Sequence, residues 1–60
     1  MLIAVTGYRI EKGVGLYHCV TIDDIYSNCI DMNWISENTL VDYITSGYTP
    51  VNFSISRDRK

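Results

Sequence analysis

Between Ile35 and Tyr48 the apolar positions recur every three or four residues. Leu40, Val41 and Ile44, flanked by Tyr43, fall on one face of a helix, and Asn38, Asp42 and Thr45 fall on the other. Ser36 stands where an N-cap is needed, its hydroxyl able to accept from the amide of Asn38 or Thr39. Ile35 and Leu40 are spaced for a hydrophobic staple across that cap, and Glu37 in the first turn meets the positive end of the helix dipole. Gly47 stops the helix, because a residue without Cβ can take the left-handed conformation of a C′ position and let Tyr48 fold back on Tyr43.

Elsewhere the period is two. Leu2 to Arg9 is rich in β-branched and aromatic residues and predicts a strand. Both of its alternating sets, Ile3 with Val5 and Leu2 with Ala4 and Tyr8, are apolar, the pattern of a strand covered on both faces or set at a dimer seam. Glu11 to Gly15 predicts a hairpin loop of three to five residues, with Gly13 and Gly15 supplying positive φ. Leu16 to Ile22 is the return strand, with Leu16, His18, Val20 and Ile22 on one side and Tyr17, Cys19 and Thr21 on the other. Asp23 to Asn28 reads as a turn or one short helical turn, since Ile22, Ile25, Tyr26 and Cys29 fit helical spacing among weak helix formers. Ile30, Met32 and Trp34 then alternate with Asp31 and Asn33 as a half-buried strand. Thr49-Pro50 holds the chain extended, and Val51, Phe53 and Ile55 alternate with Asn52, Ser54 and Ser56 as a last strand.

The order is therefore β-β-β-α-β, a small α+β fold with one helix on one face of an antiparallel sheet. One domain covers residues 1–56 and a charged tail covers 57–60. The predicted core is Ile3, Val5, Leu16, Val20, Ile30, Met32, Trp34, Leu40, Val41, Ile44, Val51, Phe53 and Ile55.

Length changes this picture most. A domain of 60 residues buries only about 60% of the surface its unfolded chain exposes and is marginal without a supplement. The apolar share of 47% with 20% charged residues is that of a folding globular chain, not a disordered one. Self-association is the supplement that remains if the thiols stay reduced and no metal binds, so a homodimer is expected, with an edge of the sheet near Tyr8 and Tyr17 as its seam.

The net charge of -2 is unevenly laid out. Lys and Arg occur only at Arg9, Lys12, Arg57, Arg59 and Lys60, whereas the middle of the chain carries Asp23, Asp24, Asp31, Glu37 and Asp42. Clustered cations are what a nucleic-acid footprint needs, so such a partner is disfavoured and a protein with a basic surface is favoured. Scattered carboxylates also make an ordinary solvated face. The first residues carry no basic n-region or long apolar run, and no stretch approaches the ~20 residues of a membrane span, which points to a cytoplasmic protein. In that compartment Cys19 and Cys29 are expected as buried thiols.

No catalytic set assembles from the sequence. His18 and Cys19 are adjacent, but neighbours on a strand point to opposite faces. Cys19, Cys29, His18, Asp23 and Asp24 lack any metal-ligand spacing. Gly13-Val14-Gly15 has no helix behind it to cradle a phosphate. Asp23 and Asp24 sit side by side as turn formers. No cofactor is implied. Aromatic residues, 12% of the chain, are the unusual component, since Tyr and Trp present large rigid area with a polar tip.

The expectation is a non-enzymatic protein-binding module, an inhibitor or adaptor, with Tyr8, Tyr17, Asp23, Asp24, Tyr26, Asp31, Asp42 and Tyr48 as its contact residues. In size and charge it resembles the short acidic inhibitors that phages and mobile elements direct at host enzymes. The competing expectation is a binder of single-stranded nucleic acid or a small ligand on the sheet face around Tyr8, Tyr17 and His18.

Overall fold

The computed structural model describes residues 1–54. Two long strands, β1 (Leu2–Glu11) and β2 (Val14–Ile22), pair antiparallel from Leu2 opposite Ile22 to Glu11 opposite Val14. Their turn is tighter than expected. It has only Lys12 and Gly13 between the strands, both with positive φ (53° and 78°), the conformation that matches the right-handed twist of a hairpin. Strand β3 (Cys29–Ser36) pairs antiparallel with β2 and runs directly into helix α1 (Glu37–Thr45).

After the helix, β4 (Thr49–Pro50) lies along β1 and completes a sheet of order β3-β2-β1-β4. This strand is parallel to β1, with Leu2 opposite Thr49 and Ile3 opposite Pro50, so the sheet is mixed and not wholly antiparallel. The reason is topological. β3 is antiparallel to β2, and β2 to β1, so β3 and β4 point the same way, and α1 is the crossover that two parallel strands require. The predicted strand through Val51, Phe53 and Ile55 is not formed as such: Val51 and Asn52 bend away, and Ile55, with the domain end at 56 and the tail at 57–60, lies outside the described residues.

Two bulges decide which side chains share a face. On β1, Val5 opposes Cys19 and Gly7 opposes His18, leaving Thr6 as an extra residue. On β3, Asp31 opposes Val20 and Trp34 opposes His18, so Met32 and Asn33 together stand across from Cys19. Asn33 takes φ 60°, and its amide donates to the Asp31 carboxylate at 2.7 Å, which fixes the kink. Each bulge reverses the alternation beyond it. Ile3, Val5, Tyr17, Cys19, Thr21 and Met32 therefore face the helix, whereas Trp34 joins Leu16, His18 and Val20 on the opposite face.

Among the described residues only Ile3, Cys19 and Leu40 are apolar and buried, with Val5, Met32, Ile35, Ile44 and Phe53 packed around them. Tyr17, Tyr43 and Tyr48 join this cluster, Tyr43 in keeping with its place beside the apolar stripe of the helix and Tyr17 and Tyr48 as additions to the predicted core. The predicted core needs correction elsewhere. Leu16, Val20 and Trp34 lie on the face away from the helix, Val41 is only half-buried, and Ile30 and Val51 are exposed. A helix of nine residues is about 13 Å long against about 33 Å for β1, so it cannot cover the ends of the sheet.

The helix limits follow the capping residues. Ser36 Oγ accepts from the Thr39 amide at 3.3 Å. At the other end the Gly47 amide donates to the Ile44 carbonyl and the Tyr48 amide to the Tyr43 carbonyl, the paired bonds of a Schellman motif, and the Tyr43 and Tyr48 rings meet edge to face at 5.1 Å. Ser36→Ala is expected to cost about 1 kcal/mol by removing the cap; a denaturant midpoint equal to the parent's would mean that another group satisfies the first turn. No helix among the described residues is long and apolar enough to cross a membrane.

Candidate functional site

The structure disperses the expected contact residues over several places. Tyr8 and Tyr17 come together at the hairpin end, opposite each other in the β1–β2 ladder with ring centroids 5.0 Å apart. They border a groove of about 390 Å³ with Gly13, Gly15, Ser36 and Glu37, between the hairpin tip and the start of α1. Gly15 does not take the positive φ expected of it, and a Cβ there would stand 2.9 Å from the Tyr8 hydroxyl, so a larger residue would make the exposed Tyr8 ring shift. Asp42 lies on the outer side of α1 beside Thr39, Tyr43 and Ser46, and Tyr48 closes the helix C-terminus. His18 is not with Tyr8 and Tyr17. It projects from the other face, so the expected sheet surface uniting the three does not exist.

Asp23, Asp24 and Tyr26 belong to the loop that joins β2 to β3. Asp23 organises it: its carboxylate accepts from the amides of Ile25 (3.3 Å) and Tyr26 (3.1 Å), while its own backbone N–H and C=O bond to the Asn28 carbonyl and the Ser27 amide, each at 3.0 Å. Ser27 supplies the positive φ (59°) that closes the segment, and its bond to the Asp23 carbonyl spans four residues, so the expected turn is a single helix-like turn that goes no further. The Asp24 carboxylate takes the Met1 ammonium at 2.9 Å. A loop tied this closely leaves Ile25 and Tyr26 with 77% and 76% of their surface in water. Ile25, whose helical spacing with Ile22 and Cys29 reads as a packing position, packs on nothing.

Asp31 has a different role, on the face away from the helix. Because the two bulges flank His18, Thr6 and Asp31 both reach its ring: Thr6 Oγ1 hydrogen-bonds Nδ1 and Asp31 Oδ1 lies 2.9 Å from Nε2. Thr6 Oγ1 is also placed to donate to the His18 carbonyl, at 3.2 Å. With the ring neutral, the threonine hydroxyl donates to Nδ1. With it charged, both ring nitrogens donate and the hydroxyl turns to the carbonyl, so both forms are satisfied. The indole of Trp34 lies against this cluster, 5.3 Å from the imidazole, and reaches across β2 to within 3.4 Å of where a Cβ on Gly7 would be. Arg9 stacks over the indole at 4.4 Å and also pairs with Glu11 at 3.4 Å. Neither bulge has a signature in the alternation, which is why this group is invisible in the sequence.

Both cysteines are free, and they stand apart: Cys19 lies under the helix, while Cys29 sits across from Ile22 on the other face and is exposed, not buried as expected. Burial pushes the Cys19 thiol up from its ordinary value of 9.0. Alkylation of the folded protein near neutral pH should therefore modify Cys29 alone, with Cys19 reacting only in denaturant; equal labelling of both in the native state would show that the helix does not stay seated. Among the described residues no group of three or more His, Cys, Asp or Glu side chains is placed to hold a metal ion. The chain matches no known protein family, no curated protein and no solved structure.

Proposed function

We propose that this is a non-enzymatic protein-binding module, an inhibitor or adaptor, that engages its partner through the Asp23–Asn28 loop. One observation supports the reading most: a loop held by its own hydrogen bonds keeps an isoleucine and a tyrosine almost wholly in water. Ordering such a loop beforehand removes the entropy that a flexible segment loses on binding, and exposed aromatic and aliphatic side chains on a rigid mount are what binding hot spots consist of. The wider surface agrees. Eight large apolar side chains are more than a third exposed among the described residues, against three that are buried. The partner is a protein with an apolar cleft for Ile25 and Tyr26, with basic groups at its rim facing Asp24. A cytoplasmic setting belongs to the same proposal, in keeping with two free thiols.

The test is capture from host lysate on the immobilised chain, followed by Ile25→Ser and Tyr26→Ala. Truncating a hot spot costs about 2 kcal/mol or more, roughly thirtyfold in affinity, so each variant should lose the captured protein while melting as the parent does. Undiminished capture by both variants sinks the reading.

A second reading rests on the groove beside Tyr8 and Tyr17, whose volume of about 390 Å³ lies in the small-ligand range. Glu37 at its wall, in the first turn of α1, opposes an anion, so the fitting occupant is a neutral or cationic aromatic molecule. Quenching of tyrosine emission on titration with such compounds would favour it.

A further inference from the structure

The sheet face turned away from α1 carries an apolar patch bordered by paired polar side chains, and among the described residues no element lies over it. Leu2 with Ile22, Ala4 with Val20, and Leu16 beyond them stand side by side across β1 and β2, and Trp34 lies across the middle. We infer that this face packs against the same face of a second copy of the chain, giving a two-fold dimer of stacked sheets. The inference is independent of the loop, which lies at the end of the strands and not on this face.

Three observations select a second copy as the occupant. The first is charge. The polar groups on the face are already matched to one another, His18 with Thr6 and Asp31, Arg9 with Glu11 and the Trp34 ring. Charges paired sideways keep a partner when water leaves, which offsets part of their desolvation, and a face without a dominant sign meets its own copy without strong repulsion, whereas a basic partner would gain little from it. The second is the edges of the sheet, the seam expected from the sequence. β3 is broken by the Asn33 bulge, and the backbone of Val5 on β1 is occupied by the Asn52 side chain, so neither offers a clean ladder to another strand. The third is need: with Ile3, Cys19 and Leu40 as the buried apolar set among the described residues, the fold gains from covering its second face, and sheets stack naturally about 10 Å apart.

Extent sets the strength. Standard interfaces bury about 800 Å² per partner over about 20 to 30 residues, and this face has roughly half that number, so a dissociation constant in the micromolar range is expected. Sedimentation velocity on the full chain from roughly 5 to 500 µM brackets that range. The parent should pass from one-chain to two-chain mass, and the emission of Trp34, the sole tryptophan, should move to the blue over the same interval as water leaves the face. Val20→Lys should hold one-chain mass throughout with the parent's circular dichroism, while Ile25→Ser should dimerise as the parent does. One-chain mass for the parent at every concentration overturns the inference. So does a doubling of mass that leaves Trp34 emission unchanged, which puts the seam elsewhere, or a loss of the dimer in Ile25→Ser, which moves it to the loop. Should Val20→Lys fail to fold, the parent's mass and emission together still decide.

Discussion

Leu40→Ala leaves the domain largely unfolded at room temperature. Leu40 is one of three buried apolar side chains among the described residues, 2% exposed, and it is the helix's anchor on Ile3 and Cys19. Emptying such a site costs about 2 to 5 kcal/mol, because a close-packed surround relaxes only in part. A domain of 60 residues holds roughly 3 to 9 kcal/mol in all, at about 0.05 to 0.15 kcal/mol per residue. The loss is therefore between a large share and the whole of the stability, and any melt that survives should be lowered by more than about 10 °C. Ile44→Ala should be milder, since Ile44 is half-buried at the margin of the cluster. A cooperative transition for Leu40→Ala within a few degrees of the parent would show that the helix is not what holds the sheet.

Gly47→Ala and Gly47→Val are both expected to lower stability by about 1 to 3 kcal/mol, valine the more because its branched Cβ crowds its own backbone at positive φ. Gly47 takes φ +124°, outside the region that residues with a Cβ adopt readily, and the Schellman bonds that end the helix depend on it. A Cβ built there meets no atom within 4 Å. The cost lies in the local backbone conformation and not in a clash with another element, so alanine already incurs a large part of it. Denaturant midpoints for the pair decide this: an alanine variant as stable as the parent would mean the backbone can turn without glycine.

The elements that residue chemistry made legible are those with local causes. Ser36, Glu37, Gly47 and Tyr48 mark the helix and its ends, and the structure places the boundaries at those residues. The α+β class followed from the same signals. What alternation could not show was where it breaks. Ile30, Met32 and Trp34 read as one face, yet the Asn33 bulge sends Trp34 to the opposite side. The perfectly alternating Val51 and Phe53 segment pairs along β1 only through its beginning, because strand-forming residues still need a free ladder and Asn52 takes the next position with a side chain. The β2–β3 loop was half legible. Asp23, read as a turn former as well as a contact residue, is the internal tie of the loop, whereas Ile25, whose spacing read as packing, is the most exposed large apolar side chain among the described residues.

Asn52 gives the fold an order in time. Its side chain takes the Val5 amide at 3.0 Å and donates to the Val5 carbonyl at 2.8 Å, copying with one carboxamide the two bonds that a neighbouring strand would make. The hairpin, the next strand and the helix each join segments adjacent in the chain, whereas this contact spans 47 positions. Local pairings close quickly and distant ones wait for them. The chain is therefore expected to assemble as a three-stranded unit with its helix, with the segment from Thr49 to Asn52 fastened last. By the same reasoning it is the first part to open, and releasing it bares the flank of β1 while the remaining three strands stay zipped.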